Sequence, residues 1–173
     1  MQAYHDEEWG VRVTDDVELF ERLVLESFQA GLSWRTILHR REGFRSAFHG
    51  FDPIVVAAFD DTDRIRLMAD AGIVRNRSKI DATIGNAAAF LAVVGERGSF
   101  DAYLGSIVPR PAIRLGPAAT MADIPATTAV SDELSRDLRR RGFRFVGSTI
   151  VYAFMQSVGL VDDHLPGCFR YQP

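Results

Sequence analysis

The hydrophobic positions of this chain recur at helical spacing, and the clearest case follows Asp15. Asp15 with Glu18 three residues later resembles a capping box, the side-chain exchange that begins many helices. The residues that then fall on one helical arc are Val17, Phe20, Leu23, Val24 and Phe28. This pattern predicts an amphipathic helix that ends near Gly31.

The same spacing predicts helices along most of the remaining chain. Their expected starts are Ser33, Asp52-Pro53, Thr62 or Asp63, Asn76, Phe100, Ser131 and Ser148. We expect Gly72 to end the helix that begins at residues 62–63 in a left-handed C-cap. Residues 105–128 are rich in Gly, Pro, Ala and Thr and predict a long irregular connection. Because alternating runs typical of strands do not recur, the pattern predicts a mostly helical chain.

Composition indicates a soluble globular protein with one domain, residues 1–173. The chain has 173 residues, of which 47% are hydrophobic and 25% charged, and this is enough for one full core. Its single cysteine, Cys168, has no intramolecular partner, which favours a reducing cytoplasm. The first ten residues do not resemble a signal peptide, and we expect no membrane segment because no long apolar run occurs.

The charge balance limits the ways in which this protein can bind nucleic acid. Lys and Arg total 20 against 23 Asp and Glu, so the net charge is −3. This argues against binding by bulk positive charge but leaves room for a local basic patch. Lys79 is the only lysine, so chemistry that requires a lysine has one candidate.

A basic turn between two predicted helices is a candidate phosphate-binding hairpin. The segment AGIVRNRSKI, residues 71–80, includes Gly72, Arg75, Arg77 and Lys79. A tight turn between helices can offer backbone N–H groups to a phosphate. The alternative is an ordinary helix–helix corner with solvated basic side chains.

One glutamate and three aromatic residues are candidates for a ligand pocket. Glu26 lies at the edge of the apolar arc of its helix, where its carboxylate is partly drawn into the core. Tyr4, Trp9 and Trp34 lie near helix or loop ends. Aromatic rings beside one carboxylate suit a flat, positively charged heterocycle. The alternatives are a glutamate that reaches water and rings that only fill the core.

Three further residues have the donor types that zinc prefers. His164 and Cys168 are four residues apart, and His5 lies near the other end of the chain. A structural zinc site has four protein ligands, and the residues alone offer three. On spacing alone, a satisfied surface histidine remains the simpler interpretation.

Four segments together give the chain a family resemblance. They are AYHDEEWG at 3–10, LESFQAGLSW at 25–34, AGIVRNRSKI at 71–80 with Asn86-Ala87 following, and GFRFVGSTIVYAFMQSVGLVDDH at 142–164. In this order and over nearly the whole chain, they closely resemble the 3-methyladenine DNA glycosylase I family. The resemblance implies the all-α fold of the helix-hairpin-helix glycosylase superfamily, with the hairpin element at about residues 63–94.

The resemblance also implies an activity and partners. The expected reaction is monofunctional hydrolysis of the N-glycosidic bond of 3-methyladenine in alkylated double-stranded DNA, a step of base excision repair. We expect a monomer without an obligate protein partner. Glu26 matches the family's glutamate that hydrogen-bonds the flipped base, and Tyr4, Trp9 and Trp34 match its aromatic pocket residues, with Trp34 as stacking partner.

The remaining matches concern DNA and metal. The hairpin with Gly72, Arg75, Arg77 and Lys79 is expected to contact DNA. His5, His164 and Cys168 match three of the four ligands of the family's structural zinc. The fourth family ligand is a cysteine upstream of Met1, so the resemblance leaves open whether zinc binds to this chain.

Two other functions remain open from the sequence. One is a DNA-binding module that has the fold and the hairpin but no catalysis, although such a module has no use for a half-buried carboxylate beside aromatic rings. The other is a glycosylase for another cationic lesion such as 7-methylguanine, because the width of the pocket is not readable from the sequence.

Overall fold

In the computed structural model, residues 1–110, 112–114, 116 and 118–171 are described, and they form one helical domain. The helices are α1 Gln2–Glu7, α2 Asp16–Gln29, α3 Trp34–His39, α4 Arg41–Ala47, α5 Pro53–Ala57, α6 Asp61–Ala69, α7 Arg77–Arg97, α8 Phe100–Gly105, α9 Ala129–Arg140 and α10 Ser148–Ser157. Short 3-10 turns occupy His49–Phe51 and Met121–Asp123. Strands β1, Ile113–Arg114, and β2, Val161–Asp162, form a short parallel pair. The all-α prediction is therefore confirmed apart from this two-residue pair.

Side-chain caps explain where several helices begin. Asp15, Ser33 and Asn76 each accept a hydrogen bond from a backbone N–H of the first turn of α2, α3 and α7. At α9, Ser131 is not the cap as predicted but the third helical residue, and it exchanges hydrogen bonds with the true cap, Thr128. The sequence alone does not distinguish the two positions, because Thr128 and Ser131 are both residue types that cap helices well.

The structure corrects two further predictions. Helix α1 is not foreseen, because its six residues are too few to show a hydrophobic period. Helix α6 ends at Ala69 and not at Gly72, which has no left-handed backbone. The facing Gly43 is the residue that must be glycine: a Cβ there would lie 2.6 Å from the carbonyl oxygen of Gly72, so the two backbones touch.

Helix α2 is the centre of the core. It packs against α10, α3, α7 and α8, and its residues from Leu19 to Phe28 are buried. The core contains many fully buried aromatic rings, two of them on α2 itself: Phe20 and Phe28, with Phe44, Phe48, Phe51, Phe90, Phe100, Tyr103 and Phe154 on other elements. Interiors packed in this way are rigid, so a side chain on α2 has a fixed position.

The predicted hairpin is formed by α6, the turn at residues 70–76, and α7. Arg40 of the turn before α4 donates to the carbonyl oxygens of Ala71 and Ile73, at 2.6 and 3.2 Å. This contact and the touching glycines hold the turn against the rest of the domain.

Two distant segments of the chain meet beside α10. The N–H of Gly10 donates to the carbonyl of Gln156, and that of Val13 to the carbonyl of Val158. Gly10 has a φ of +75°, and a Cβ there would lie 2.7 Å from Cε1 of His164. Both the backbone conformation and the close approach therefore require glycine. Among the described residues, no helix is long and apolar enough to span a membrane.

Candidate active site

Glu26 and the three predicted aromatic residues meet in one pocket of about 190 Å³. Tyr4 comes from α1, Trp9 from the segment after it, Glu26 from α2 and Trp34 from the first turn of α3. The structure thus brings together all four side chains that were proposed to form the pocket.

Glu26 is a buried carboxyl group in this pocket. It is 5% exposed and lies on the rigid central helix. Burial penalises the charged form and raises the pKa of Glu26 to about 8, while Arg22 acts in the opposite direction. The carboxyl group can therefore change its charge near neutral pH when a ligand enters.

Tyr4 and Trp34 form the aromatic part of the pocket wall. Their ring centroids are 5.3 Å apart and their planes are inclined by 50°. Burial, with the nearby carboxyl of Glu26, raises the pKa of the Tyr4 hydroxyl, so Tyr4 stays neutral. The indole N–H of Trp34 is buried without a hydrogen-bond partner among the described residues. The wall thus has an aromatic surface and one free donor.

Three pocket residues were not foreseen from the sequence. Gln29, Ala153 and Gln156 complete the lining. Gln29 lies one helical turn after Glu26, and Ala153 and Gln156 have the same spacing on α10. Helical spacing from Glu26 was a usable signal for Gln29, whereas the approach of α10 is a tertiary contact.

The three predicted metal ligands also lie together. The ligand atoms of His5, His164 and Cys168 are within 4.8 Å of one another. Sγ of Cys168 is 3.6 Å from Nε2 of His5. Nε2 of His164 is buried and has no partner among the described residues.

The surroundings of these histidines fit a zinc ion. Nδ1 of His164 lies 2.6 Å from a carboxylate oxygen of Asp162, and Nδ1 of His5 lies 2.7 Å from that of Asp6. A carboxylate on one ring nitrogen orients the other nitrogen toward a metal and increases its basicity. Two nitrogens and one sulfur at this spacing match tetrahedral zinc with one position left for a further ligand.

The cluster of His5, His164 and Cys168 is next to the pocket. The ring of His164 contacts the ring of Trp9 edge to face, with centroids 4.6 Å apart. Gln156 lines the pocket and donates to Asp163, which precedes His164, at 2.6 Å. Two walls of the pocket are thus held by residues at or beside the cluster.

The hairpin presents two of its three predicted cations to solvent. Arg75 and Arg77 are exposed, and Arg77 lies 3.8 Å from Asp81. The N–H of Gly72 already donates to the Asp70 carboxylate at 2.7 Å, so Gly72 shapes the turn and does not offer its own amide.

Lys79 is different, and its predicted contact with a DNA phosphate is wrong. Its side chain is 7% exposed, and Nζ donates to the carbonyl oxygens of Phe28 and Ala30, both at 2.7 Å. Lys79 faces inward because it is in the first turn of α7, on the side that packs against α2. Its ammonium therefore caps the end of the helix that carries Glu26.

Comparisons with known proteins show the family to which this chain belongs. The family model described as methyladenine glycosylase matches residues 1–171. DNA-3-methyladenine glycosylase 1 of Escherichia coli strain K12 is 50% identical over 169 residues, which is 98% of this chain and 90% of that protein. A crystal structure of 3-methyladenine DNA glycosylase I matches with a TM-score of 0.95 and 48% identity, covering 99% of this chain and 93% of that one. The Staphylococcus aureus enzyme, solved to explain its recognition of 3-methyladenine, matches with a TM-score of 0.93 and 37% identity, covering 97% and 89%. The chain belongs to the methyladenine glycosylase family.

Proposed function

We propose that this protein is a monofunctional DNA glycosylase that hydrolyses the N-glycosidic bond of 3-methyladenine in alkylated double-stranded DNA. The observation that carries the proposal is the pocket itself. Glu26 is the one carboxyl group among the described residues that line it, and it faces a space bounded by aromatic rings. A carboxylate beside aromatic rings binds a flat cation, which is the form of this base in DNA.

The positive charge of the lesion determines how much catalytic assistance the reaction needs. Methylation at N3 makes the base cationic, so the glycosidic bond is weak and the base leaves neutral. Little acid catalysis is required. The enzyme must extrude the nucleotide from the duplex, hold the cation against the aromatic wall of Tyr4 and Trp34, and admit water to the sugar as positive charge develops there.

The raised pKa of Glu26 suits this task. In the empty pocket, burial keeps the carboxyl largely protonated at neutral pH. A cationic base favours the ionised form, so Glu26 loses its proton as the lesion enters and then pairs with it. A neutral, unmodified adenine does not supply this compensation for the buried charge.

Hydrolysis in a single step is consistent with the position of the only lysine. A lysine that attacks the sugar must have a free amine in the pocket. The ammonium of Lys79 is instead bonded to two backbone carbonyls and is not among the pocket-lining residues. Direct attack by water is therefore the favoured route.

DNA is expected to lie across the hairpin and the mouth of the pocket. Arg75 and Arg77 are exposed and would contact phosphates, which positions the duplex without reading its sequence. We further propose that the protein acts as a monomer in the cytoplasm.

We also propose a structural zinc held by His5, His164 and Cys168. The metal would join residues that are far apart in the sequence and fix the neighbouring Trp9. Its role is to hold the pocket wall, because its ligands are not among the residues that line the space beside Glu26.

The test is incubation of the protein with methylated duplex DNA and chromatographic identification of the released bases. We expect 3-methyladenine, with Glu26→Gln as the control for activity of this pocket. Release of 7-methylguanine as the main product would assign a different lesion. Tight binding of methylated DNA without release of any base would make the protein a binding module and contradict the proposal.

A further inference from the structure

Arg22 is a buried arginine on the helix that carries the pocket carboxylate. Glu18, Arg22 and Glu26 are spaced four residues apart on α2, so they lie above one another on one face of the helix. Arg22 is 2% exposed. Its Nη2 donates to Glu8 at 2.7 Å and to Glu18 at 3.0 Å.

The guanidinium of Arg22 is directly behind the pocket wall. Its Cζ is 5.7 Å from the centroid of the Tyr4 ring, and the ring itself lines the pocket. Nε and Nη1 are buried and have no hydrogen-bond partner among the described residues. Burial of two unused donors is costly. An apolar side chain of similar volume would avoid this cost, so packing alone does not account for an arginine at this position.

Arg22 belongs to a cluster of ion pairs, and within this cluster its charge acts on close neighbours such as Glu26. The ion pairs join three arginines and four glutamates: Arg22, Arg41, Arg45, Glu8, Glu18, Glu21 and Glu42. Three positive and four negative charges leave a net charge of −1, so a ligand at a distance experiences no net positive field. Glu26 is one helical turn from Arg22, and the nearest member of the cluster dominates the field there.

The other charged groups near α2 do not replace Arg22. On α1, Tyr4 is neutral, and the carboxylate of Glu8, just after α1, is bonded to Arg22 and Arg41. Arg41 of α4 is bonded to Glu8 and Glu21. On α7, the ammonium of Lys79 is bonded at the end of α2. The residues that α3 and α10 add to the pocket are uncharged: Trp34, Ala153 and Gln156.

We propose that Arg22 is a positioning residue for base recognition: its buried guanidinium, held behind Tyr4 by Glu8 and Glu18, stabilises the ionised form of Glu26 in the pocket. This inference rests on the proposed function, since it assigns Glu26 the role of pairing with a cationic base. Arg22 touches neither the base nor the sugar and acts only through Glu26 and Tyr4.

The positive charge of Arg22 lowers the pKa of Glu26, against the effect of burial. Burial raises the pKa of Glu26 to about 8, and Arg22 is the neighbour that lowers it. Without Arg22 the carboxyl would hold its proton more tightly, so the entry of a cationic base would ionise it less readily. With Arg22 in place, a smaller favourable interaction with the incoming cation is enough to remove the proton.

The experiment measures the ionisation of Glu26 directly, by carboxyl-carbon NMR titration of the intact protein without DNA. Glu26→Gln identifies the resonance. The variants are Arg22→Met, which removes the charge and keeps an apolar chain, Arg22→Lys, which keeps the charge, and Arg45→Met as the matched control. Arg45 is in the same cluster but bonds Glu21 and Glu42 and does not contact Tyr4.

We expect the Glu26 midpoint to move up by about one pH unit or more in Arg22→Met, to move less in Arg22→Lys and to stay in place in Arg45→Met. The rising limb of base release against pH should shift by the same amount, with the plateau at high pH preserved. An unchanged midpoint in Arg22→Met overturns the proposal, as does an equal shift in Arg45→Met. If Arg22→Met does not fold, Arg22→Lys and Arg22→Gln provide the same comparison. The titration does not require enzymatic activity. Its result therefore tests the role of Arg22 independently of whether the protein releases 3-methyladenine.

Discussion

The ammonium of Lys79 donates a 2.7 Å hydrogen bond to the carbonyl oxygen of Phe28, and a second of the same length to Ala30. Phe28 is two residues after Glu26 on α2, and Lys79 is in the first turn of the second hairpin helix. One side chain therefore joins the element proposed to hold DNA to the element proposed to bind the base.

Lys79→Met should lower the free energy of unfolding by about 1 to 3 kcal/mol, because two charged hydrogen bonds are lost and two carbonyls are left without a partner. Thermal or denaturant unfolding measures this. The salt dependence of DNA binding should not change, since this ammonium is buried. A reduced salt slope with normal stability would restore Lys79 as a phosphate contact.

Arg75→Ala and Arg77→Ala are the matched surface changes, with the opposite expected result. Each should weaken binding to any DNA sequence and lower the salt slope by about one, while stability stays within about 0.5 kcal/mol. Binding titrations at several salt concentrations measure both effects. If neither variant alters the salt slope, the duplex lies on another face of the protein.

Glu26→Gln should reduce release of 3-methyladenine by about 10- to 1000-fold, because the neutral amide has nearly the same shape but no negative charge for the cation. Single-turnover release from methylated DNA measures the chemical step, and circular dichroism checks the fold. Wild-type kinetics in this variant would remove Glu26 from the mechanism.

The same substitution should stabilise the protein at alkaline pH. The pKa of Glu26 is raised from 4.5 to about 8 on folding, so the folded state holds this proton more tightly than the unfolded state. Its contribution to stability therefore declines as pH rises from about 4.5 to 8 and is constant above that. Relative to wild type, Glu26→Gln should gain stability across this window, by a few kcal/mol at its upper end. A difference in melting temperature that is the same at pH 4 and pH 9 would contradict the assigned ionisation.

Trp34→Ala should weaken binding of the methylated base by about 1 to 3 kcal/mol, the usual value of an aromatic stacking contact with a base. Calorimetric titration with free 3-methyladenine measures this effect without DNA. Trp9→Phe is the control, since it keeps an aromatic ring beside His164. Equal loss in both variants would indicate a general collapse of the pocket and not a stacking role for Trp34.

Metal removal tests the cluster of His5, His164 and Cys168. Elemental analysis of protein purified without added zinc should find metal, and a strong chelator should then lower the melting temperature, because binding energy at a structural site is folding energy. If stripping the metal abolishes base release and leaves the melting temperature unchanged, the metal is not structural.

Local signals in the sequence were sufficient for most of the helices. Asp15, Ser33 and Asn76 each cap the helix they were expected to begin, because capping depends on residues within one turn. The pocket residues Tyr4 and Trp34 were identified by their place in recognisable segments, and no periodicity indicated that they would meet.

Side-chain direction was where sequence reasoning failed. Lys79 shares a basic segment with Arg75 and Arg77, and nothing local distinguishes a lysine that faces inward from one that faces water. The distinction depends on the open carbonyls at the end of α2, a helix that ends 50 residues earlier in numbering. Ala153 and Gln156 were missed for the same reason, since α10 reaches the pocket only through tertiary packing.

The meeting of residues 10–13 with residues 156–158 also affects how the protein is made. One wall of the pocket comes from Tyr4 and Trp9, and another from Ala153 and Gln156. Closing so long a loop is entropically costly, so these contacts form after the local helices. During synthesis, α2 with Glu26 emerges from the ribosome long before α10 does. The nascent chain therefore has its carboxylate but no enclosed pocket, and we expect it to become competent for catalysis only when α10 packs against residues 10–13.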